Sequence, residues 1–317
     1  MLIKKYFTRP LNPKGIKLQE YDYRILALLD EYRFLDTVMI WYLIKLYYPE
    51  MKFDALKHRL HALWRNSFID RPPEQLSILI KQDDFHLISC LTEKGARTVA
   101  ERFGRDSQQT LWRVNQERAN FRLLEHQLAI SRFRAAIQLS NAFDILLWLH
   151  DRQFSKNVTF RIETHEQRYL LQASHIGEQT TRKVEPDSFF ILKDNRKTQA
   201  YALEIDRGTA SRKALARKYL AYYKMLKALQ QKPLIIEGHE INHFRVLTVT
   251  PNERHFEKPG TRIKHLRELI QILDEKGQGY RAFWFTSEDK FSWQNPDSIL
   301  ASIWQTPKDG ELLTLTD

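Results

Sequence analysis

The hydrophobic period of this 317-residue chain changes at Asn141. Before Asn141, apolar residues recur every three or four positions. After it, short runs alternate at every second position, interrupted by two long helical patterns. A helical period and a strand period cannot serve the same element. The sequence therefore reads as α/β overall, with a helical first part and a mixed α/β second part, and its length suits two domains. The predicted boundaries are residues 1–109, a connector helix over 110–141, and 142–317.

In the first part, Tyr21, Ile25, Leu28, Leu29 and Tyr32 mark an amphipathic helix. Thr37–Tyr48 is apolar nearly all round and reads as a buried helix stopped before Pro49. A third helix, Phe53–Asn66, turns Phe53, Leu56, Leu60, Leu63 and Trp64 inward. Two strand-like runs, ILIKQ and FHLISCL, flank Asp83-Asp84. LTEKGARTVAERFG then reads as a helix capped by Thr92.

Three helices followed by a hairpin is the order of a winged helix-turn-helix, whose third helix enters the DNA major groove. The outward face of that helix carries His58, His61, Ala62 and Arg65, with Lys57 and Arg59 on its flanks. Arg59 and Arg65 suit guanine edges or phosphates, and His58 and His61 can donate hydrogen bonds. A solvated face on a protein-docking winged helix is the alternative. In the connector, Leu124, Leu128, Ile130, Phe133 and Ile137 form the apolar stripe.

The net charge is +11, shared by both parts: 18 basic and 14 acidic residues in 1–109, 32 and 25 in the remainder. A polyanion such as double-stranded DNA is the natural partner. The single cysteine, Cys90, excludes a disulfide framework and a Cys-cluster zinc site. With no long apolar run and no secretory signal at the start, neither a membrane nor export is expected, and the cytoplasm is the predicted location.

The second part carries the acids. FDILLWL, RYLLQ, PDSFFIL (186–192) and QAYALEID (199–206) read as strands. A helix follows over Ala210–Gln230, then the strand FRVLTVT, a helix over Thr261–Lys276 and the strand YRAFWFT. Period two sets Tyr201, Leu203 and Ile205 on one face of their strand, and Glu204 and Asp206 on the other. A hairpin would bring Asp187 near Glu204. Converging carboxylates repel unless one is protonated or a cation sits among them, and Mg²⁺ or Mn²⁺ suits such oxygen donors.

On the following helix, Leu215, Tyr219, Tyr222, Leu226 and Leu229 form an inward stripe with Lys218 at its edge. Lys213, Arg217 and Lys224 line the opposite face. The 26 residues from Arg207 to Lys232 hold eight basic residues and no acid, which suits a phosphate backbone.

Pro186-Asp187 together with Glu204-Ile205-Asp206 resembles the PD-(D/E)XK nuclease superfamily, whose core is a mixed sheet with this element order. Asp206 stands where that pattern has lysine. Some branches move the lysine to the next helix in a K/Q-x-x-x-Y pattern, which Lys218 to Tyr222 matches. Over about residues 18–290 the chain also resembles the replication-relaxation family of plasmid and mobile-element proteins, at LTEKGA (91–96), LEHQLAISRFRAAI (124–137), VEPDSFFIL (184–192), LEIDRGT (203–209) and ARKYLAYY (216–223).

The resemblance implies metal ligation by Asp187 and Glu204, with Asp206 as a third acid. It implies that Lys218 orients water or stabilises the pentavalent phosphorus, supported by Tyr222. The implied activity is Mg²⁺- or Mn²⁺-dependent DNA nicking or cleavage in replication or mobilisation, alongside other replication or transfer proteins. The competing class is a catalytically inactive DNA-binding replication factor or transcriptional regulator, which Asp206 favours. A homodimer suits a winged helix reading a palindrome.

Other motifs carry no such chemistry. His239-Glu240-Ile241-Asn242-His243 fits H-E-x-x-H, but that motif needs a helix, and Pro233, Gly238 and the β-rich FRVLTVT surround it. There is no H-x-H run to support a tyrosine nucleophile, and no glycine-rich nucleotide loop.

Overall fold

The structure is a computed structural model that describes residues 7–10, 13–76, 86–104, 121–151, 153–154, 184–251, 261–273, 280–308 and 311–317. It divides the chain into two compact units, Met1–Ala135 and Ala136–Asp317.

The first unit begins with helix α1 (Glu20–Tyr32), strand β1 (Leu35–Asp36) and helices α2 (Thr37–Lys45) and α3 (Phe53–Arg65). Strands β2 (Ile69–Asp70) and β3 (Ile88–Leu91) and helix α4 (Glu93–Phe103) follow. β3 lies between β1 and β2, antiparallel to both. Polar side chains fix where the helices start, because an N-cap oxygen satisfies an amide that has no partner within the helix. Asp36 caps α2 by accepting from the Met39 amide at 2.8 Å. Thr92 caps α4 by accepting from the Gly95 amide at 3.2 Å, while its hydroxyl donates to the Ser67 carbonyl at 2.5 Å. α3 buries Leu56, Leu60, Leu63 and Trp64, the stripe expected of it.

Two expectations change in this unit, the end of α2 and the engagement of Arg59. α2 ends at Lys45, and Leu46 and Tyr47 are exposed. The Tyr47 ring lies under the Arg24 guanidinium, 3.6 Å from the ring centroid, instead of entering a core. Only the second of the two strand-like runs is described: β3 begins at Ile88 and pairs with β1 and β2, and residues 77–85 lie outside the described residues. Arg59, expected to reach DNA, is turned onto Asp22. Its Nε and Nη2 donate to the two Asp22 oxygens at 2.6 and 2.5 Å, and the Gln19 amide adds a third bond at 2.6 Å. Asp22 is fully buried, and a buried carboxylate requires such a partner.

Helix α5 (Phe121–Ser140) buries Leu124, Leu128, Ile130, Phe133 and Ile137 and crosses the division between the units. Residues 105–120, which hold the start of the expected connector, lie outside the described residues.

The second unit contains β4 (Asp144–His150), β5 (Ser188–Lys193), β6 (Thr198–Ile205) and α6 (Arg212–Leu229). A hairpin of β7 (Leu234–Ile236) and β8 (His239–Ile241) is followed by β9 (Arg245–Thr250), α7 (Thr261–Leu273), β10 (Phe283–Ser287), β11 (Trp304–Gln305) and β12 (Leu312–Leu313). Seven strands form one sheet in the order β12-β11-β10-β9-β6-β5-β4. β6, β9 and β10 run parallel, and every other neighbouring pair is antiparallel.

Two successive crossovers, β6-α6-β9 and β9-α7-β10, step the same way across the sheet. Crossovers of one hand then put both helices on one face. There Phe189, Ala202, Val246 and Phe283 of the sheet pack with Tyr222 and Met225 of α6 and with Leu266 and Ile270 of α7.

The candidate strand RYLLQ and the loop after it lie outside the described residues. The start of the run YRAFWFT is a 3-10 turn, Tyr280–Ala282, rather than strand. Between β7 and β8, Glu237 and Gly238 both have positive φ, 49° and 79°, as a tight two-residue hairpin requires. His239 and Glu240 thus lie on a strand, where H-E-x-x-H cannot present two imidazoles on one helical face.

Gly95 supplies a test of the first unit. A Cβ there would lie 2.0 Å from the Phe68 carbonyl oxygen, which is backbone and cannot swing aside. Gly95→Ala is expected to cost the first unit about 2 kcal/mol, as overpacking usually does. Native-state hydrogen exchange should then show more frequent opening of β3 and α1 amides and none in β5 and β6.

Candidate active site

Strand β6 alternates as its period demands. Ala200 and Ala202 enter the core beneath α6 and α7, Glu204 follows on the same face, and Tyr201 points oppositely to donate to the Leu315 carbonyl at 2.9 Å. Glu204 is buried. On α6, Lys218 and Tyr222 lie one turn apart on the side that meets β6. The Lys218 ammonium donates to Glu204 Oε2, and the Tyr222 hydroxyl donates to Oε1.

Asp187 joins from the residue just before β5. Its amide donates to the Leu203 carbonyl at 3.0 Å, and its Oδ2 accepts from the Ile205 amide at 2.7 Å. Those bonds anchor its carboxylate to the residues on either side of Glu204. The expected hairpin thus brings Asp187, Glu204, Lys218 and Tyr222 together.

Asp206 is engaged differently. Its amide donates to the Val249 carbonyl at 2.9 Å, which continues the β6–β9 ladder. Its carboxylate takes two bonds from Arg262, in the first turn of α7: Nε to Oδ2 at 2.6 Å and Nη2 to Oδ1 at 2.9 Å. Arg262 carries no spacing signal in the sequence. Tyr219, on the inward stripe of α6, shares a 2.8 Å hydrogen bond with Thr248 of β9, a contact likewise unseen in the sequence.

Polar groups gather at one end of this sheet. His150, Ser188, Glu204, Thr248, Thr250, Thr286 and Ser287 are buried, and all lie at the carboxyl ends of β4, β6, β9 and β10 or at the adjoining start of β5. Open α/β sheets bind ligands at that end.

The electrostatics follow from burial. Burial pushes the Glu204 carboxyl up to about 7; the Lys218 charge opposes this and the Asp187 charge adds to it. For Lys218, burial pulls the ammonium down, but Glu204 and Asp187 outweigh it and hold the group above its ordinary value. Burial, followed by the Glu204 charge, raises the Tyr222 phenol well above the ordinary range. At neutral pH Lys218 is a cation and Tyr222 a neutral donor.

Asp187 and Glu204 offer hard oxygen donors and no thiolate or imidazole, which fits Mg²⁺ or Mn²⁺ rather than zinc. Among the described residues no group of three or more His, Cys, Asp or Glu side chains could hold a metal ion. Mg²⁺ commonly takes only one or two carboxylates and completes its shell with water and phosphate.

A family model described as replication-relaxation matches residues 26–235. The chain belongs to the replication-relaxation family. The matched span takes in Asp187, Glu204, Asp206, Lys218 and Tyr222 and ends before Arg262. Neither a curated protein nor a solved structure matches the chain.

Of the other residues singled out in the sequence, the replication-relaxation chain displays Lys57, His58 and His61 as exposed residues of α3, with Arg65 half-buried. Lys57 pairs with Asp54 at 2.7 Å. On α6, Lys213 is exposed, whereas Arg217 and Lys224 are half-buried. Among the described residues no helix is long and apolar enough to cross a membrane.

Because burial raises the Glu204 pKa above its ordinary 4.5, the folded state binds that proton more tightly than the unfolded state. Its contribution to stability therefore falls as pH rises from 4.5 to about 7. Carboxyl-carbon NMR should find a Glu204 midpoint near 7. Asp187→Asn should lower that midpoint by removing a repelling charge, and Lys218→Met should raise it by removing an attracting one.

Proposed function

We propose that this protein processes DNA in the replication or mobilisation of a plasmid or mobile element. In this reading the first unit is a winged helix that grips the duplex. The second is a PD-(D/E)XK-like domain that hydrolyses a phosphodiester bond with Mg²⁺ or Mn²⁺. The observation that carries the proposal is the convergence of Lys218 and Tyr222 on the buried Glu204 beside Asp187. The order of three strands, helix, strand, helix, strand in the main sheet supports the nuclease-like assignment, and the β1-β3-β2 sheet behind α3 supports the winged helix.

Charge arithmetic favours a cation at this centre. With Glu204 ionised, Asp187, Glu204 and Asp206 face Lys218 and Arg262, three acids against two bases, leaving one negative charge. A divalent ion together with one phosphodiester brings the sum to zero.

Asp187 and Glu204 would hold the ion, Glu204 through the lone pairs that Lys218 and Tyr222 leave open. When bound, the ion lowers the pKa of the attacking water and offsets charge at phosphorus. Lys218 donates hydrogen bonds to the water or to a phosphate oxygen as negative charge builds there. Tyr222 keeps its proton and orients Glu204, so it is a supporting donor and not a nucleophile. In the reaction the water oxygen bonds to phosphorus and gives up a proton to solvent, the bond to the leaving sugar oxygen breaks, and that oxygen takes a proton from solvent.

Duplex DNA would meet Lys57, His58, His61 and Arg65 on α3, and Lys213, Arg217 and Lys224 on α6. Arg59 is left out because Asp22 holds it.

A second reading, DNA binding without hydrolysis as in a replication factor or transcriptional regulator, is favoured by Asp206. An acid clasped by Arg262 stands where the nuclease pattern carries its lysine. Incubation of supercoiled plasmid with Mn²⁺ separates the two. The nuclease reading expects nicked or linear product from the wild type and rates lower by about a hundredfold or more in Asp187→Ala and Glu204→Ala. Indistinguishable plasmid profiles for all three proteins would overturn it.

A further inference from the structure

The connection between β6 and α6, residues 206–211, is held at both ends by one side chain from a third element. Arg262 of α7 binds Asp206 with two prongs, and its Nη2 also donates to the Ala210 carbonyl at 3.2 Å. Within the connection, the Gly208 amide donates to Asp206 Oδ1 at 3.1 Å, and Ser211 caps α6 by accepting from the Ala214 amide at 3.2 Å. Both charged groups are well covered: the Asp206 side chain is 5% exposed and that of Arg262 16%. A two-pronged guanidinium–carboxylate contact fixes orientation as well as distance.

Lys218 lies about two helical turns beyond Ser211. Its reach to Glu204 therefore depends on where α6 begins and in which direction it leaves the sheet.

We propose that Arg262 is a positioning residue. By clasping Asp206 and the Ala210 carbonyl, it sets the start of α6 so that a lysine borne on the helix arrives at Glu204. A chain with an acid two residues after Glu204 needs such a device, because its lysine must come from another element. Asp206 then serves as the anchor of Arg262 rather than as a ligand or a base.

Site-resolved acetylation of the full chain, read by mass spectrometry, tests this without requiring nuclease activity. Lys218 is partly exposed and paired, and Lys213 and Lys224 on the same helix serve as internal controls. In Arg262→Gln and in Asp206→Asn, the Lys218 rate is expected to rise about fivefold, as loss of a partly exposed ion pair would allow. Lys213 and Lys224 should not change, and the double variant should be no faster than either single one, because the pair acts as a unit. Arg262→Lys keeps the charge but not the two-pronged contact, so it should behave like Arg262→Gln.

A Lys218 rate unchanged in either single variant would overturn the proposal. So would a rise shared by all three lysines, which signals unfolding of α6, or wild-type behaviour in Arg262→Lys, which would reduce the role to charge.

The last readout alone rests on the nuclease reading. On supercoiled plasmid the same variants should lower kcat about tenfold or more with KM unchanged, the signature of a misplaced reacting group. A wild type that leaves plasmid intact would remove the nuclease reading while the lysine result still decides the role of Arg262.

Discussion

The buried carboxylate of Glu204 is the constraint around which the second unit is arranged. A charged group on the core face of a central strand is costly unless partners meet it. Lys218 and Tyr222 meet it from the helix above, while the Asp187 carboxylate, held by the Ile205 amide, lies beside it. Asp187 adds repulsion where the other two relieve it, so the group remains an uncomfortable anion with its pKa pushed up to about 7. A site in that condition gains by admitting a further cation, and sites of perturbed acidity are where function concentrates.

Asp22 in the first unit shows what a closed version of the same problem looks like. It too is fully buried, but Arg59 covers both of its oxygens and the Gln19 amide adds a further bond. It ties the start of α1 to the middle of α3. Losing one partner of such a pair costs about 3–5 kcal/mol, so Arg59 serves the fold of α3 and not its outward face. The Asp206–Arg262 pair is built the same way, and it steadies the connection that leads into α6. These two arginine pairs hold the fold within their own units, whereas Glu204, with a second carboxylate beside it, marks the candidate centre.

Much of this arrangement was legible in the sequence because it depends on short-range periodicity. Period two along residues 199–206 set Glu204 on the face opposite Tyr201, Leu203 and Ile205, and four-residue spacing set Lys218 beside Tyr222. The succession of the strands PDSFFIL and QAYALEID suggested a hairpin that brings Asp187 near Glu204. Contacts between elements distant in the chain had no such signal. Arg262 lies 56 residues from Asp206, and Arg59 lies 37 from Asp22. An arginine on a polar helix face looks the same whether it meets phosphate or a buried acid, so Arg59 was read as a DNA contact. Strands β1, β2, β11 and β12 are two residues each, too short to carry a period. They owe their existence to β3 and β10, the strands they pair with or extend from.

The central claim is that Asp187 and Glu204 act together as one cation site, and calorimetric titration of the full chain with Mn²⁺ tests it most directly. The account predicts saturable binding of one ion to the wild type, abolished in Asp187→Asn and in Glu204→Gln and retained in Asp206→Asn, whose carboxylate belongs to Arg262. Heats that are the same in the wild type and in the first two variants would contradict it.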